Sequence, residues 1–431
     1  MSQSRRVVIT GMGLVTSLGK GVEANWQGIL QGKTGIERHT RDDQPEYLQY
    51  FGEAKECDKL EDIPSSLAGQ MRFLNRGSML GFEAAREAVR NSGIMLSGIE
   101  KERRALFIAS GDLTKVGYEF MYPALKDGIK GDGKTINYPV LNKSTMNKVN
   151  PFFLLESICN NLFSFLSAVF EFMGPNTSLG TMSPCGGHAF ELAWRRISSG
   201  EADAALAVGC GNWITEIPMF EMEGLGILSK SKDGPNSFRP LDKGRDGFLP
   251  GEGGAAILLE EYEHAKKRGA QIAEIKAMGN CLEPPTGKGL SVPEKISKRA
   301  MLEALEGAQL EARDLAFICP HGSGTRKGDR SELNSIVDVL GASRGSVPIC
   351  ALKPYTGHMG AASDLCELIL GMKALSEGVV PGTLNFFRAE PEFEDLKISA
   401  ALQEAKGKNF LSVSYGILGE SSCVLLESCA Q

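Results

Sequence analysis

The chain has 431 residues, enough for two or three ordinary domains or for one large layered α/β unit. With 42% hydrophobic and 23% charged residues, few aromatics and no low-complexity tract, it has the composition of a soluble globular enzyme. The net charge of −6 argues against nucleic acid as the main partner, while a local basic patch would suffice to dock an acidic protein.

In chain order, Met1 to Arg6 is polar and predicts no secretory leader. A strand follows at Arg6–Thr10 and is expected to end in a turn at Gly11-Met12-Gly13. A helix is predicted near Val22–Leu30, then an irregular acidic segment to about residue 62. The next helix, 74–92, stops at Ser92-Gly93. Ala105–Ala109 is a continuous apolar run and suits a sheet covered on both faces. Pro151–Pro175 carries six phenylalanines, but Glu156, Asn160, Asn161 and Glu171 interrupt it, so a buried helix or subunit interface fits better than a membrane span.

Gly174 to Gly187 then leads into a helix over 187–198 and a strand over Ala204–Cys210. A strand, tight turn and helix in this order present a nucleophile at a helix N-terminus, and Ser183 stands in that turn. A second α/β series begins with the strand Ala255–Leu259 and continues with helix 296–307, strand 315–318, helix 362–376 and strands near 411–415 and 423–427. Two halves of similar order suggest an internal duplication. The ten cysteines form no C-x-x-C pair and lie mostly in apolar runs, which reads as reduced core thiols rather than disulfides or a metal site.

Of five histidines, two sit in glycine-rich turns directly after apolar strands. His321 lies in Pro320–Thr325, and His358 in Thr356–Gly360. Small neighbours leave each imidazole accessible and let backbone N–H groups face a ligand. Lys353, five positions before His358, and Glu332, eleven after His321, are candidate supports, although spacing alone favours a solvated lysine and an exposed helix carboxylate. His188 reads as packed or partly exposed, and His264 lies on a solvated charged helix.

Several longer motifs carry a resemblance. Arg6–Gly13, Ser237–Phe248 with Gly251-Glu252-Gly253, Pro320–Thr325 and Lys353–His358 resemble, in this order, those of elongating bacterial type II β-ketoacyl-ACP synthases of the thiolase superfamily. The resemblance covers essentially the whole chain. It implies a thiolase-like fold of two duplicated α/β halves in a five-layer αβαβα arrangement, with residues 1–254 holding the nucleophile turn and 255–431 the two histidine loops. It implies His321 and His358 as the decarboxylating pair, with Lys353 and Glu332 as supporting charges and Ser323 and Thr325 as contacts to phosphopantetheine. No bound cofactor or metal is expected, because the substrates ride on the phosphopantetheine of an acyl carrier protein (ACP). That carrier is the implied partner, with a homodimer or a heterodimer with a related ketosynthase in the cytoplasm. Lys230, Lys232, Lys266, Lys267, Arg268, Arg72 and Arg76 are candidate docking charges, against the default of solvated charge.

Two departures stand out. The family's catalytic cysteine falls on Ser183, with Cys185 two positions on. Ile417 replaces the gating aromatic and Leu418 a usual glycine in Tyr415–Ser421, although the Ser183 and Ile417 N–H groups could still form an oxyanion hole. A helix terminus contributes about 1 kcal/mol, under one pKa unit, so it cannot ionise serine. Serine needs a base that takes its proton during attack, and His321 or His358 is the candidate. Three readings follow: a condensing acyltransferase using an acyl-serine, a malonyl-ACP decarboxylase supplying a starter unit, and a non-elongating, chain-length-factor-like partner of a cysteine-bearing ketosynthase.

Overall fold

Strands dense in Val, Ile, Leu and Ala build two sheets of one plan. The computed structural model describes residues 4–429 apart from 42–43, 56–59, 61–62, 111–119, 152, 154–159 and 286–291. The first half supplies β1 (Val7–Thr16), helix α1 (Arg76–Ser92), β2 (Arg104–Ala109), β3 (Asn176–Leu179), helix α2 (Cys185–Ser198), β4 (Ala204–Asn212) and β5 (Glu252–Glu261). Its strand order is β3-β2-β4-β5-β1, with β2 parallel to β3 and β4, and β5 antiparallel to β4 and β1.

The second half supplies β6 (Ala273–Leu282), α3 (Lys298–Ala308), β7 (Phe317–Cys319), α4 (Arg326–Leu340), β8 (Pro348–Ile349), α5 (Ala361–Glu377), β9 (Lys397–Ile398), β10 (Asn409–Tyr415) and β11 (Glu420–Ser428). Its order is β9-β8-β7-β10-β11-β6, with parallel and antiparallel neighbours falling as in the first half and β9 added at the edge. The sheets join where β1 meets β6, through Val8 opposite Glu274 and Ile9 opposite Ala273.

Helices α2 and α5 pack on each other between the sheets and touch strands of both. The outer face of the first sheet carries α1, and that of the second carries α3, against which α4 packs. Three apolar clusters fill this five-layer sandwich. The central one joins Ala189, Phe190 and Ala193 of α2 to Leu365, Leu368 and Ile369 of α5. The outer two lie under α1 and under α3 and α4. Burying one such Leu, Ile or Phe contributes roughly 1.5–3 kcal/mol. Every residue of β2 is buried, as the apolar run Ala105–Ala109 requires when helices cover both faces.

Local capping sets the helix ends. The Asn75 side chain accepts the Ser78 N–H at the start of α1, and Gly93 ends that helix in the left-handed conformation at φ 63°. The Thr325 side chain accepts the Gly328 N–H at the start of α4.

Some expectations need correction. Gly11 and Gly13 form no turn, because β1 continues through them to Thr16. They are small because α1 lies directly on the strand: a Cβ at Gly13 would sit 1.9 Å from the Ala84 carbonyl oxygen, and one at Gly11 would sit 2.3 Å from that of Ala88. The strand expected to open the second half at Ala255 is the middle of β5, paired on both edges within the first sheet. The second sheet therefore begins at Ala273 rather than at the 254/255 boundary.

Two expected docking charges are internal. Arg76 pairs with Glu252 and donates to the Ala54 carbonyl, and Arg268 pairs with Glu260 and donates to the Ser92 carbonyl. Within the Phe-rich stretch, Asn160–Phe170 is a helix with Leu162, Phe165 and Leu166 buried. Eight described cysteines form no disulfide, and seven of them are buried; Cys57 and Cys159 lie outside the described residues. Among the described residues no helix is long and apolar enough to cross a membrane.

The β1–α1 contact leaves no room for a methyl group. Gly13→Ala is expected to lower stability by about 1–3 kcal/mol through overpacking. Chemical denaturation of the two proteins checks this, and an unchanged midpoint would contradict the contact.

Candidate active site

The close approach of α2 and α5 places the C-terminal turns of both halves around one cavity of about 330 Å³. Ser183, His321, His358, Trp213, Phe248 and Tyr415 are among its lining residues. Ser183 comes between β3 and the first turn of α2 and is 7% exposed. Its hydroxyl oxygen is buried with no hydrogen-bond partner among the described residues. An unsatisfied buried hydroxyl costs free energy, and this one faces the cavity where an incoming group could satisfy it.

Both imidazoles are buried and held in one protonation pattern. His358 Nδ1 accepts the Gly360 N–H at 3.2 Å, which leaves the ring proton of the neutral form on Nε2. Its ring stacks on Trp213 with centroids 4.7 Å apart and tilts against Phe248 at 4.9 Å. His321 Nδ1 lies 3.3 Å from the Lys353 ammonium, which likewise makes Nδ1 the acceptor and Nε2 the carrier of hydrogen. The two rings meet edge to face at 5.2 Å. Burial, reinforced by Lys353, pushes both pKa values well below the ordinary histidine value. At neutral pH the pair is thus two neutral N–H donors.

Lys353 is itself buried, donating 2.6 Å to the His321 carbonyl and 2.7 Å to the Glu367 carboxylate. Burial pushes the Glu367 carboxyl up, and Lys353 pulls it back. Glu332 does something different from the expected charge support. Its two oxygens accept the N–H groups of His321 and Gly322 at 2.7 and 2.9 Å, so it holds the loop through the backbone. Burial raises its pKa to about 8.

Asp329 fixes the rest of that loop, accepting from Leu241 N–H, Gly324 N–H and the Ser323 hydroxyl. Ser323 also accepts from Tyr415 at 3.0 Å and lies 2.8 Å from the Thr325 hydroxyl. Ser323 and Thr325 line the cavity, so the hydroxyls expected to meet a ligand are in place but already networked.

The turn from β10 to β11 closes over Ser183. The Gly419 N–H bonds the Gly416 carbonyl at 3.2 Å, leaving Ile417 and Leu418 at the corners. A Cβ at Gly416 would stand 2.3 Å from the Ser183 carbonyl oxygen, so this contact is possible only for glycine. Ile417 lines the cavity, whereas Leu418 is 58% exposed and is absent from the lining among the described residues. The gate expectation therefore narrows to Ile417. Cys185 is fully buried at the first position of α2 and is likewise absent from that lining. No cluster of ligating side chains that could hold a metal occurs among the described residues.

Comparison with known proteins gives the family. The model of the β-ketoacyl synthase N-terminal domain matches residues 4–265, and that of the C-terminal domain matches residues 271–387. The chain belongs to the β-ketoacyl synthase family. It is 29% identical to 3-oxoacyl-[acyl-carrier-protein] synthase 2 of Coxiella burnetii, over 98% of this chain and 99% of that protein. It is 28% identical to the protein of that name from Vibrio harveyi, over 99% of both. Among solved structures, it is similar to a type II polyketide ketosynthase in complex with its acyl carrier protein, at TM-score 0.84 and 25% identity, with 99% of this chain and 100% of that one covered. The ishigamide ketosynthase/chain length factor follows at TM-score 0.81 and 25% identity, with 99% of each chain covered.

Against this family background, sequence reasoning brought Ser183, His321, His358, Lys353, Ser323, Thr325 and Ile417 to one region but missed two carboxylates of α5. Glu367 is the ion-pair partner of Lys353, and the Asp364 Oδ2 accepts the Gly186 N–H at 2.9 Å in the first turn of α2. The available signal was two acidic residues in the run Ala361–Met372, apolar but for them and Ser363, since a carboxylate inside a buried helix is kept only where something satisfies it.

The histidine arrangement has a spectroscopic consequence. In protein labelled with 15N-histidine, His321 and His358 should both show the Nε2–H tautomer at pH 7 and remain neutral through pH 6.5. The unfolded chain takes up those protons as pH falls below about 6.5, whereas the folded chain resists, so both residues subtract stability on acidification. Imidazolium signals with midpoints near 6.5 would contradict this.

Proposed function

We propose that this ketosynthase-family chain is a condensing acyltransferase that takes an acyl group from acyl-ACP onto Ser183 and extends it with malonyl-ACP. The observation that carries the reading is the convergence of a buried, partnerless Ser183 hydroxyl and two neutral Nε2–H donors on one cavity. The ACP-bound ketosynthase among the similar structures supports ACP as partner. The ketosynthase/chain length factor supports a second ketosynthase-type subunit, either a copy of this chain or a relative.

In the first half-reaction the Ser183 oxygen attacks the thioester carbonyl. A C–O bond forms, the C–S bond breaks, and the serine proton ends on the departing phosphopantetheine thiol. The backbone N–H groups of Ser183 and Ile417 are assigned to the developing oxyanion. Ser323 and Thr325 contact the pantetheine arm, and exposed Arg326 and Lys327 on the cavity lining suit its phosphate.

In the second half-reaction malonyl thioester binds with its carbonyl oxygen against His321 and His358. Loss of carbon dioxide leaves an enolate, and neutral N–H donors stabilise that charge without themselves being deprotonated. The enolate carbon attacks the acyl-serine carbonyl, forming the new C–C bond as the C–O bond to serine breaks, and the released serine oxygen takes a proton from water. Because the histidine pair is independent of Ser183, decarboxylation without condensation is the second reading.

Intact-mass measurement after mixing with acyl-ACP, and separately with malonyl-ACP, decides between them. The proposal predicts an acyl adduct mapped by peptide sequencing to Ser183. Carbon dioxide release with no adduct would select the decarboxylase, an adduct on Cys185 would misplace the nucleophile, and inertness with tight binding to another synthase would select a non-elongating partner.

A further inference from the structure

A serine nucleophile needs a base, and neither histidine offers one to the cavity. His358 Nδ1 is occupied by the Gly360 N–H, and His321 Nδ1 by Lys353, so each neutral ring has its hydrogen on Nε2. Asp364 is a carboxylate beside the Ser183 turn that keeps one oxygen unused among the described residues. It enters from the first turn of α5, buried, with Oδ2 fixed by the Gly186 N–H while Oδ1 is buried without a hydrogen-bond partner. The Ser183 hydroxyl oxygen is also without a partner among the described residues, as is the Ser422 hydroxyl beside Gly187. Ser183 lies close enough to help stabilise the Asp364 carboxylate, although no hydrogen bond of good geometry yet joins them. Catalytic hydrogen bonds commonly tighten only when substrate binds.

We infer that Asp364 is the general base for Ser183, taking the hydroxyl proton on Oδ1 as the oxygen attacks the acyl thioester. The inference rests on the acyl-serine reading above. The step balances: the Ser183 O–H bond breaks, its proton moves to Asp364, the C–O bond forms and the C–S bond breaks. Protonated Asp364 then returns its proton to the phosphopantetheine thiolate, leaving acyl-serine and free thiol.

Charge at the helix terminus supports this assignment. The Gly186 N–H already faces a carboxylate, so the positive end of α2 is spent on Asp364 rather than on Ser183. A neighbouring anion disfavours a cysteine thiolate, but it suits a hydroxyl that must lose a proton during attack. Burial raises the Asp364 pKa to about 6; Lys353, the Gly186 and Gly187 N–H groups and Ser183 restrain it. Glu367 on the same helix is the other carboxylate coupled to it. A carboxyl of that strength matches an ordinary imidazole as a base near neutral pH.

The test compares wild type, Asp364→Asn, Ser183→Cys and the double variant, each mixed with a series of acyl-ACPs from acetyl to octanoyl and followed by intact mass. Asparagine keeps an oxygen for the Gly186 N–H but cannot take a proton. Asp364→Asn should slow ester formation on Ser183 by at least about 100-fold. The same change in the Ser183→Cys background should leave thioester formation undiminished or faster, since a thiol there needs no base and loses an unfavourable neighbour. Wild-type acylation should also fall as pH drops through about 6. Undiminished ester formation in Asp364→Asn would overturn the base assignment while leaving Ser183 as nucleophile. Equal losses in both backgrounds would make Asp364 a structural cap and overturn it as well. Absence of any adduct on wild-type Ser183 would overturn both the base and the acyl-serine reading.

Discussion

The site depends on backbone-to-backbone contact between the first turn of α2 and the start of α5. A Cβ at Gly186 would stand 2.4 Å from the Ala361 carbonyl oxygen, one at Gly209 2.6 Å from the same atom, and one at Gly211 2.0 Å from that of Met359. These three glycines let the segment that follows His358 sit directly on β4 and on the helix that follows Ser183. Larger residues would separate the halves and open the space between Ser183, Asp364 and His358. The duplicated sheets matter for function because they set these two central helices N-terminus to N-terminus.

Around that contact the charges divide the site in two. On one side Lys353 joins His321 to Glu367, and a buried lysine is tolerable because a carboxylate meets it at 2.7 Å. Lys353 and the Gly360 N–H fix both imidazoles as neutral N–H donors, which is the form that stabilises an enolate. On the other side Asp364 takes the helix terminus, and Ser183 keeps a hydroxyl instead of an ionisable thiol. On the proposed function the histidine side works through preset donors, while the Ser183 side requires a proton to move.

Much of this was legible in the sequence for physical reasons. Unbroken apolar runs such as Ala105–Ala109 predicted doubly covered strands, glycine-rich turns after strands marked His321 and His358 as accessible, and the family resemblance paired them. The errors have one origin, which is that close packing between distant segments leaves an ambiguous local mark. Gly11 and Gly13 read as a turn because the approach of α1 at Ala84 and Ala88 cannot be seen locally. Ala255 read as a new beginning because pairing of β5 with β1 spans nearly the whole first half. Asp364 and Glu367 were passed over because their partners, Gly186 and Lys353, are on other segments. Glu332 was found, but only the structure shows that it holds the His321 backbone rather than its ring.

The central claim is that the decarboxylating and acyl-holding halves are separable. The most direct measurement is carbon dioxide release from malonyl-ACP by Ser183→Ala, set beside its condensation of acyl-ACP with malonyl-ACP. The account predicts that carbon dioxide release persists while condensation is lost. Decarboxylation that disappears with the hydroxyl, or condensation that survives without it, would contradict the account.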